Sequence, residues 1–147
     1  LRHPYYEYQL RAVTVGDVVR AILIWRKVAT EKGDLLRIAD VIGDAEVLGR
    51  CGALLRHELA VSESQYIDIM QWGVPTTALA AGGFVGIEDN GGLVLPVYFE
   101  PFEQRNVPVE IAFRQDPKSA ERTVRLYRAD SDQDRPNQPQ ALIKRKG

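Results

Sequence analysis

The sequence predicts an α+β fold, and three observations predict it. Apolar residues recur at helical spacing through much of the first half. Beyond Val74 the period becomes two, and an Asn90-Gly91 pair sits between two apolar runs of the second half. A run of helices followed by a run of strands is the pattern of segregated layers. The expected order is an N-terminal strand, three or four short helices, then an antiparallel β-meander of about four strands whose one face the helices cover.

The first strand is read from alternation. Tyr6, Tyr8, Leu10 and Ala12 point one way and Glu7, Gln9 and Arg11 the other, with His3-Pro4 as the lead-in. Thr14 and Asp17 have the form of a capping box, and Val18, Ile22, Trp25 and Ala29 follow at helical spacing, widened by Val19 and Leu23. Arg20, Lys27 and Glu31 take the polar side, and Gly33 is the terminator. Asp34 then opens a short helix with Leu35, Ile38 and Ile42 inward, stopped by Gly43. A third helix over Asp44 to Leu59 carries Leu48, Cys51, Leu55 and Leu59 on one face, with Glu46 and Arg50 as an i,i+4 pair. The fourth begins at a Ser62/Gln65 capping box, turns Tyr66, Ile69 and Met70 inward, and closes at Gly73 and Pro75.

The meander is read next. Phe84 to Glu88 and Leu93 to Phe99 flank Asp89-Asn90-Gly91-Gly92, a hairpin signal because a tight turn needs positive φ at its centre. Val107, Val109, Ile111 and Phe113 alternate with Pro108, Glu110, Ala112 and Arg114, and Pro108 assigns this strand to an edge. The last strand spans Arg122 to Arg128, with Val124 and Leu126 inward. Residues 1–128 read as one domain. Ala129 to Gly147 reads as a polar, Pro-containing tail with the basic end Lys144-Arg145-Lys146, a composition that orders only against a partner.

Composition narrows the class. A chain of 147 residues with 45% hydrophobic and 27% charged residues has enough apolar material for one core and is too apolar for disorder. The 19 Lys and Arg against 20 Asp and Glu leave no basic excess for gripping bulk nucleic acid. Most of the bases are Arg, which suits bidentate pairing with carboxylates or phosphates, although compositional bias produces the same count. The single Cys51 permits no intrachain disulfide. No apolar run approaches the roughly 18 residues of a membrane helix, the best being Ala21 to Trp25 between Arg20 and Arg26. The chain starts with Leu1, which a removed leader, a processed precursor or trimming would each produce.

No pattern of catalytic chemistry emerges. His57-Glu58 resembles the start of a zinc-hydrolase motif, but the second histidine position holds Val61. Cys51 and His57 lie six residues apart on the expected helix, far from convergence, and Cys51 shares the apolar face, so it reads as a buried structural thiol. The stretch Ala80 to Gly86 could present amides to an anion. It precedes a strand, though, and lacks both phosphate-loop spacings, so close backbone packing at the helix–sheet junction is the better reading. No catalytic, cofactor-binding or metal-ligating residue is assigned.

The remaining candidates are interface residues. Tyr5, Tyr6 and Tyr8 form an aromatic cluster with polar handles. Arg114, Arg122, Arg125 and Arg128, with Tyr127 for stacking and Lys144, Arg145 and Lys146 from the tail, could form a phosphate-binding face for RNA; pairing of the same strand positions with Glu110 and Glu121 is the better reading. The expectation is a non-catalytic subunit held among other protein chains, as an accessory subunit of an organellar (mitochondrial, if a leader was removed) complex or a virion component. A small-ligand or enzyme domain with its site near Gly82-Gly83 is the alternative.

Overall fold

The first three strands form a β-meander. A computed structural model describes residues 6–30, 33–89, 91–95, 105–106, 109–119 and 121–131. Strand β1 (Gln9–Val15) turns at Gly16-Asp17 into β2 (Val18–Thr30), and Val15 pairs with Val18. Gly16 takes φ +60° at the first central position, the conformation that lets a two-residue hairpin follow the strand twist. Thr30 pairs with Gly33, where β3 (Gly33–Gly43) begins. All three strands are antiparallel neighbours.

The chain then crosses over. A 3-10 helix (Ala45–Arg50) leads directly into α1 (Gly52–Ser62), and the chain returns as β4 (Ile67–Ile69), parallel to β3. The sheet order is β1-β2-β3-β4. A second, two-stranded sheet joins β5 (Gln71–Trp72) to β6 (Leu126–Tyr127), with the short helix α2 (Thr76–Ala81) between them in sequence.

The core lies between one sheet face and the crossover. Ala21, Leu23 and Trp25 of β2 and Ile38 and Val41 of β3 meet Ala45, Val47 and Leu48 of the 3-10 helix, Cys51, and Leu55 of α1. Trp25 is fully buried, and its indole N–H donates to Gln9 Oε1 at 3.2 Å. Arg11 lies over the same ring, 5.7 Å from its centroid, and pairs with Glu58 of α1 at 2.9 Å. Lys27 fastens the far end of α1 by donating to the Ser62 carbonyl, where the helix dipole favours a cation.

A mixed α+β fold is present, but the layers are assigned differently from the sequence reading. The helix expected over 14–33 is the end of β1 with β2, the helix expected at Asp34 is β3, and the helix expected from Ser62 is β4 and β5. The cause is burial on both faces of the central strands. From Ala21 to Val28, buried residues fall at odd positions up to Trp25 and at even positions from Arg26, so a nearly continuous apolar run satisfies helical spacing by default. The β-branched and aromatic content then decides for strand. Ser62 ends α1 instead of starting a helix, and Glu63 follows in the left-handed region at φ 54°.

The helix expected over Asp44 to Leu59 is present with a break at Cys51, and its inward Leu48, Cys51 and Leu55 are buried as expected. Glu46 and Arg50 do not pair: at three residues per turn, positions four apart diverge, and Glu46 faces Arg125 instead.

Among the described residues β6 is the one strand of the expected C-terminal meander, and 96–99 of the expected second strand lie outside them. Around the Asn-Gly turn, the described residues 84–89 and 91–95 form no strand. The Asn106 side chain takes the Leu93 carbonyl and the Leu95 N–H, each at 2.9 Å, which strand pairing would have used. Val109, Ile111 and Phe113 are exposed coil, and Pro108 lies outside the described residues. In the last segment Tyr127 and Arg128, not Val124 or Leu126, are the buried residues.

The Gly-rich stretch does pack backbone on backbone, against the 3-10 helix rather than the sheet. A Cβ on Gly82 would stand 2.3 Å from the Leu48 carbonyl oxygen. Gly82→Ala is therefore expected to destabilise the protein by about 1–3 kcal/mol in urea denaturation, because backbone rather than a flexible side chain must yield.

Candidate interaction surface

A row of charges crosses one face of the sheet. Directly opposed residues share a face, so the register places Arg26 of β2 beside Arg37 of β3, and Arg37 beside Asp68 of β4. All three are buried, as is Arg128. Arg37 Nε donates to both Asp68 oxygens, at 2.9 and 3.1 Å, and its Nη2 closes the fork on Oδ2. Arg26 is capped by Tyr6, whose ring centroid lies 3.9 Å from the guanidinium carbon, and Tyr8 meets Tyr6 edge-on at 6.1 Å. This row holds the strands in place.

The same face opens to solvent nearer the β1–β2 turn. Leu10, Ala12, Val19, Ile22 and Ile42 fall there by register, and Leu10, Val19 and Ile42 are about half exposed. Val15 and Val18 add two exposed apolar side chains at the turn itself. Leu10, Ala12, Val19, Ile22 and Ile42 follow one another by register on this face, whereas Val15 and Val18 fall on the helix-covered one, and an apolar patch of this kind marks a contact surface.

Two shallow clefts flank the exposed side of the 3-10 helix and share Glu46 and Arg50. One, of about 370 Å³, lies against Val15, Val18 and Arg20 of the hairpin; the other, of about 360 Å³, lies against Pro75, Ala78 and Ala81. Arg20 bonds Asp44 at 3.1 Å, and this contact, with the N–H of Glu46, holds the Asp44 carboxyl below its ordinary range. Asp44 therefore remains an ionised cap for the 3-10 helix. Arg125 reaches Glu46 only at 4.0 Å, and Arg50 makes no ion pair among the described residues. The resulting surface has apolar walls, mixed charge and one available guanidinium, chemistry suited to a partner's carboxylate.

The sequence-predicted candidates divide. Tyr6 and Tyr8 come together, but the Tyr6 ring is occupied by Arg26. Arg114 is exposed and Arg125 half-buried, while Tyr127 sits in the core. Tyr127 is thus not displayed to a partner, because its pairing with Gln71 in the small sheet turns the ring inward. With Arg125 and Arg128 also drawn in, the described strand arginines form no single phosphate-binding face. Tyr5, Lys144, Arg145 and Lys146 lie outside the described residues. His57 is exposed on α1 while Cys51 is buried, and burial pushes the thiol above its ordinary range. The space over Gly82 that a ligand would use is filled by the Leu48 backbone. Among the described residues no three His, Cys, Asp or Glu side chains gather as metal ligands would, and no helix is long and apolar enough to cross a membrane.

The residues missed from sequence are Arg37, Asp68 and the exposed hairpin valines. A usable signal existed: single charges of opposite sign inside apolar runs, Leu36-Arg37-Ile38 and Ile67-Asp68-Ile69. Compared with family models, curated proteins and solved structures, the chain matches none of them.

Two predictions follow from these charges. Asp68→Ala leaves a buried guanidinium without its carboxylate and should cost about 3–5 kcal/mol in urea unfolding, whereas Arg20→Ala at the exposed pair should shift the urea midpoint far less. The Tyr127 hydroxyl is buried without a hydrogen-bond partner among the described residues, and burial pushes its pKa from 10.0 to about 12. A pKa raised on folding favours the native state while the phenol stays protonated. That contribution is complete below pH 10 and is lost as pH rises from 10 through 12. Tyr127→Phe should be neutral or stabilising at pH 7, and its urea midpoint should fall less steeply than wild type across that alkaline window.

Proposed function

We propose that this chain is a non-catalytic structural subunit that works by binding other protein chains of a larger assembly, an accessory subunit of an organellar complex or a virion component. The observation that supports this reading is the half-exposed apolar row that includes Leu10, Val19 and Ile42 at the open end of one sheet face. Leaving this surface in water forgoes roughly 25 cal/mol for each Å² of apolar area, a gain recovered when a partner covers it. The neighbouring clefts around Glu46 and Arg50 supply charge of both signs at the rim of the patch, where polar groups select partners and set register more than they add affinity. In this reading residues 1–128 form the docking body, and the tail with Lys144, Arg145 and Lys146 adds a basic contact.

The test is native mass spectrometry of the protein drawn from its source under gentle conditions. The expected result is a mass many times 16.5 kDa with co-purifying chains in fixed stoichiometry. A monomer or small homo-oligomer would overturn the proposal.

A further inference from the structure

The sheet has two edges, and they are unlike. β4 is three residues long, which leaves little ladder for another strand to use. β1 is seven residues long, has no proline, and carries one charge, Arg11, which Glu58 of its own chain draws onto the helix-covered face. Natural sheets protect long edges with lysines, prolines or a covering loop, because the unpaired N–H and C=O groups of an edge recruit another strand. Among the described residues no backbone hydrogen bond from outside β2 reaches Gln9–Val15, and the side-chain bond to a β1 carbonyl, from Arg11 Nη1 to Leu10 O at 3.5 Å, comes from β1 itself. This backbone ladder specifies an extended strand as occupant, and Leu10 and Val15, each about half exposed, border it.

We infer that β1 pairs antiparallel with β1 of a second copy, about a two-fold axis at Ala12. Symmetry and charge select the register. A two-fold axis normal to the sheet sets each side chain opposite one from the same face, so the axis must pass through a residue position. Centred on Ala12, all seven residues pair: Gln9 opposes Val15, Leu10 opposes Thr14, and Arg11 opposes Val13. Centred on Arg11, two guanidinium groups would stand face to face, which is destabilising. Centres nearer either end leave part of β1 unpaired. At Ala12 the strand is complementary to itself in both length and charge, which is what an isologous contact requires. The two sheets become one, with both sets of helices on the same side. The apolar row of Ala12, Ile22 and Ile42 then runs on through Ala12 of the partner copy. This pairing goes beyond the assembly reading and needs no other chain.

The test uses the purified full chain in sedimentation equilibrium over a range of concentrations. The expected result is a reversible dimer of the 16.5 kDa chain. Ala12 is exposed, so Ala12→Lys and Ala12→Glu spare the core. Each should raise the dimer dissociation constant about fivefold or more by opposing like charges, and an equimolar mixture of the two should restore the wild-type value. Far-UV circular dichroism confirms that each variant is folded. Ala12→Cys adds a second readout. Opposed Cα atoms in an antiparallel ladder lie about 4.5–5.5 Å apart, within disulfide reach, so mild oxidation should give a covalent dimer while buried Cys51 stays out. A wild-type chain that is monomeric at the highest soluble concentration would overturn the pairing, as would a dimer insensitive to both charge variants with no Ala12→Cys crosslink. A monomer here beside a large native assembly rejects only the β1 pairing. A dimer here with a native mass no larger than a dimer rejects only the assembly.

Discussion

The Arg37–Asp68 pair is the constraint on which the rest of the sheet depends. β4 contributes three residues in parallel pairing, a short ladder for closing a crossover that carries a 3-10 helix and α1. A buried ion pair adds little net stability, since desolvation of the two groups offsets much of their attraction. Its strength is in discrimination. Sliding β4 by one residue would turn Asp68 to the opposite face and leave both charges buried and apart. The bidentate geometry of the guanidinium makes the choice of register sharper than a lysine would. Once β4 is placed, α1 must lie across β2 and β3, and Leu55 and Cys51 are brought onto Trp25 and Ile38.

Two bulges shape what surrounds this pair. Arg20 is left out of register between β1 and β2, and Ala39 between β2 and β3. Each bends its strand and increases the local twist. The result is a sheet whose second face is closed at the end holding Arg26, Arg37, Val28 and Leu35, and open at the end holding Leu10, Val19 and Ile42. Structural and contact surfaces thus share one face, separated along the strands.

These features explain which parts of the fold were legible. The inward side of the 3-10 helix and α1 was readable because Leu48, Cys51 and Leu55 face one core and the outer side is wet. Gly82 was readable as a packing glycine because no side chain fits where backbone meets backbone. The helix assigned to Val18 through Ala29 failed for a physical reason: the buried side of β2 switches between Trp25 and Arg26, so its apolar residues break strict alternation and imitate helical spacing. The Arg37–Asp68 contact joins residues 31 apart in sequence, and no local pattern states which two isolated charges will meet. The exposure of Val18 and Val19 was hidden because these valines were read as helix core. Tyr127 was mislocated because a single pair of residues in β6 sets its facing.

Cys51 gives the molecule an internal clock. It is the one thiol in the chain, it is buried at the junction of the 3-10 helix and α1, and burial disfavours its reactive thiolate. A disulfide reagent can reach it only when that junction opens. With reclosing fast relative to reaction, the modification rate counts openings and converts directly into the free energy of the opening event. The crossover that Arg37 and Asp68 hold in place thus reports its own fluctuations through unmodified chemistry, with no label added and no residue changed.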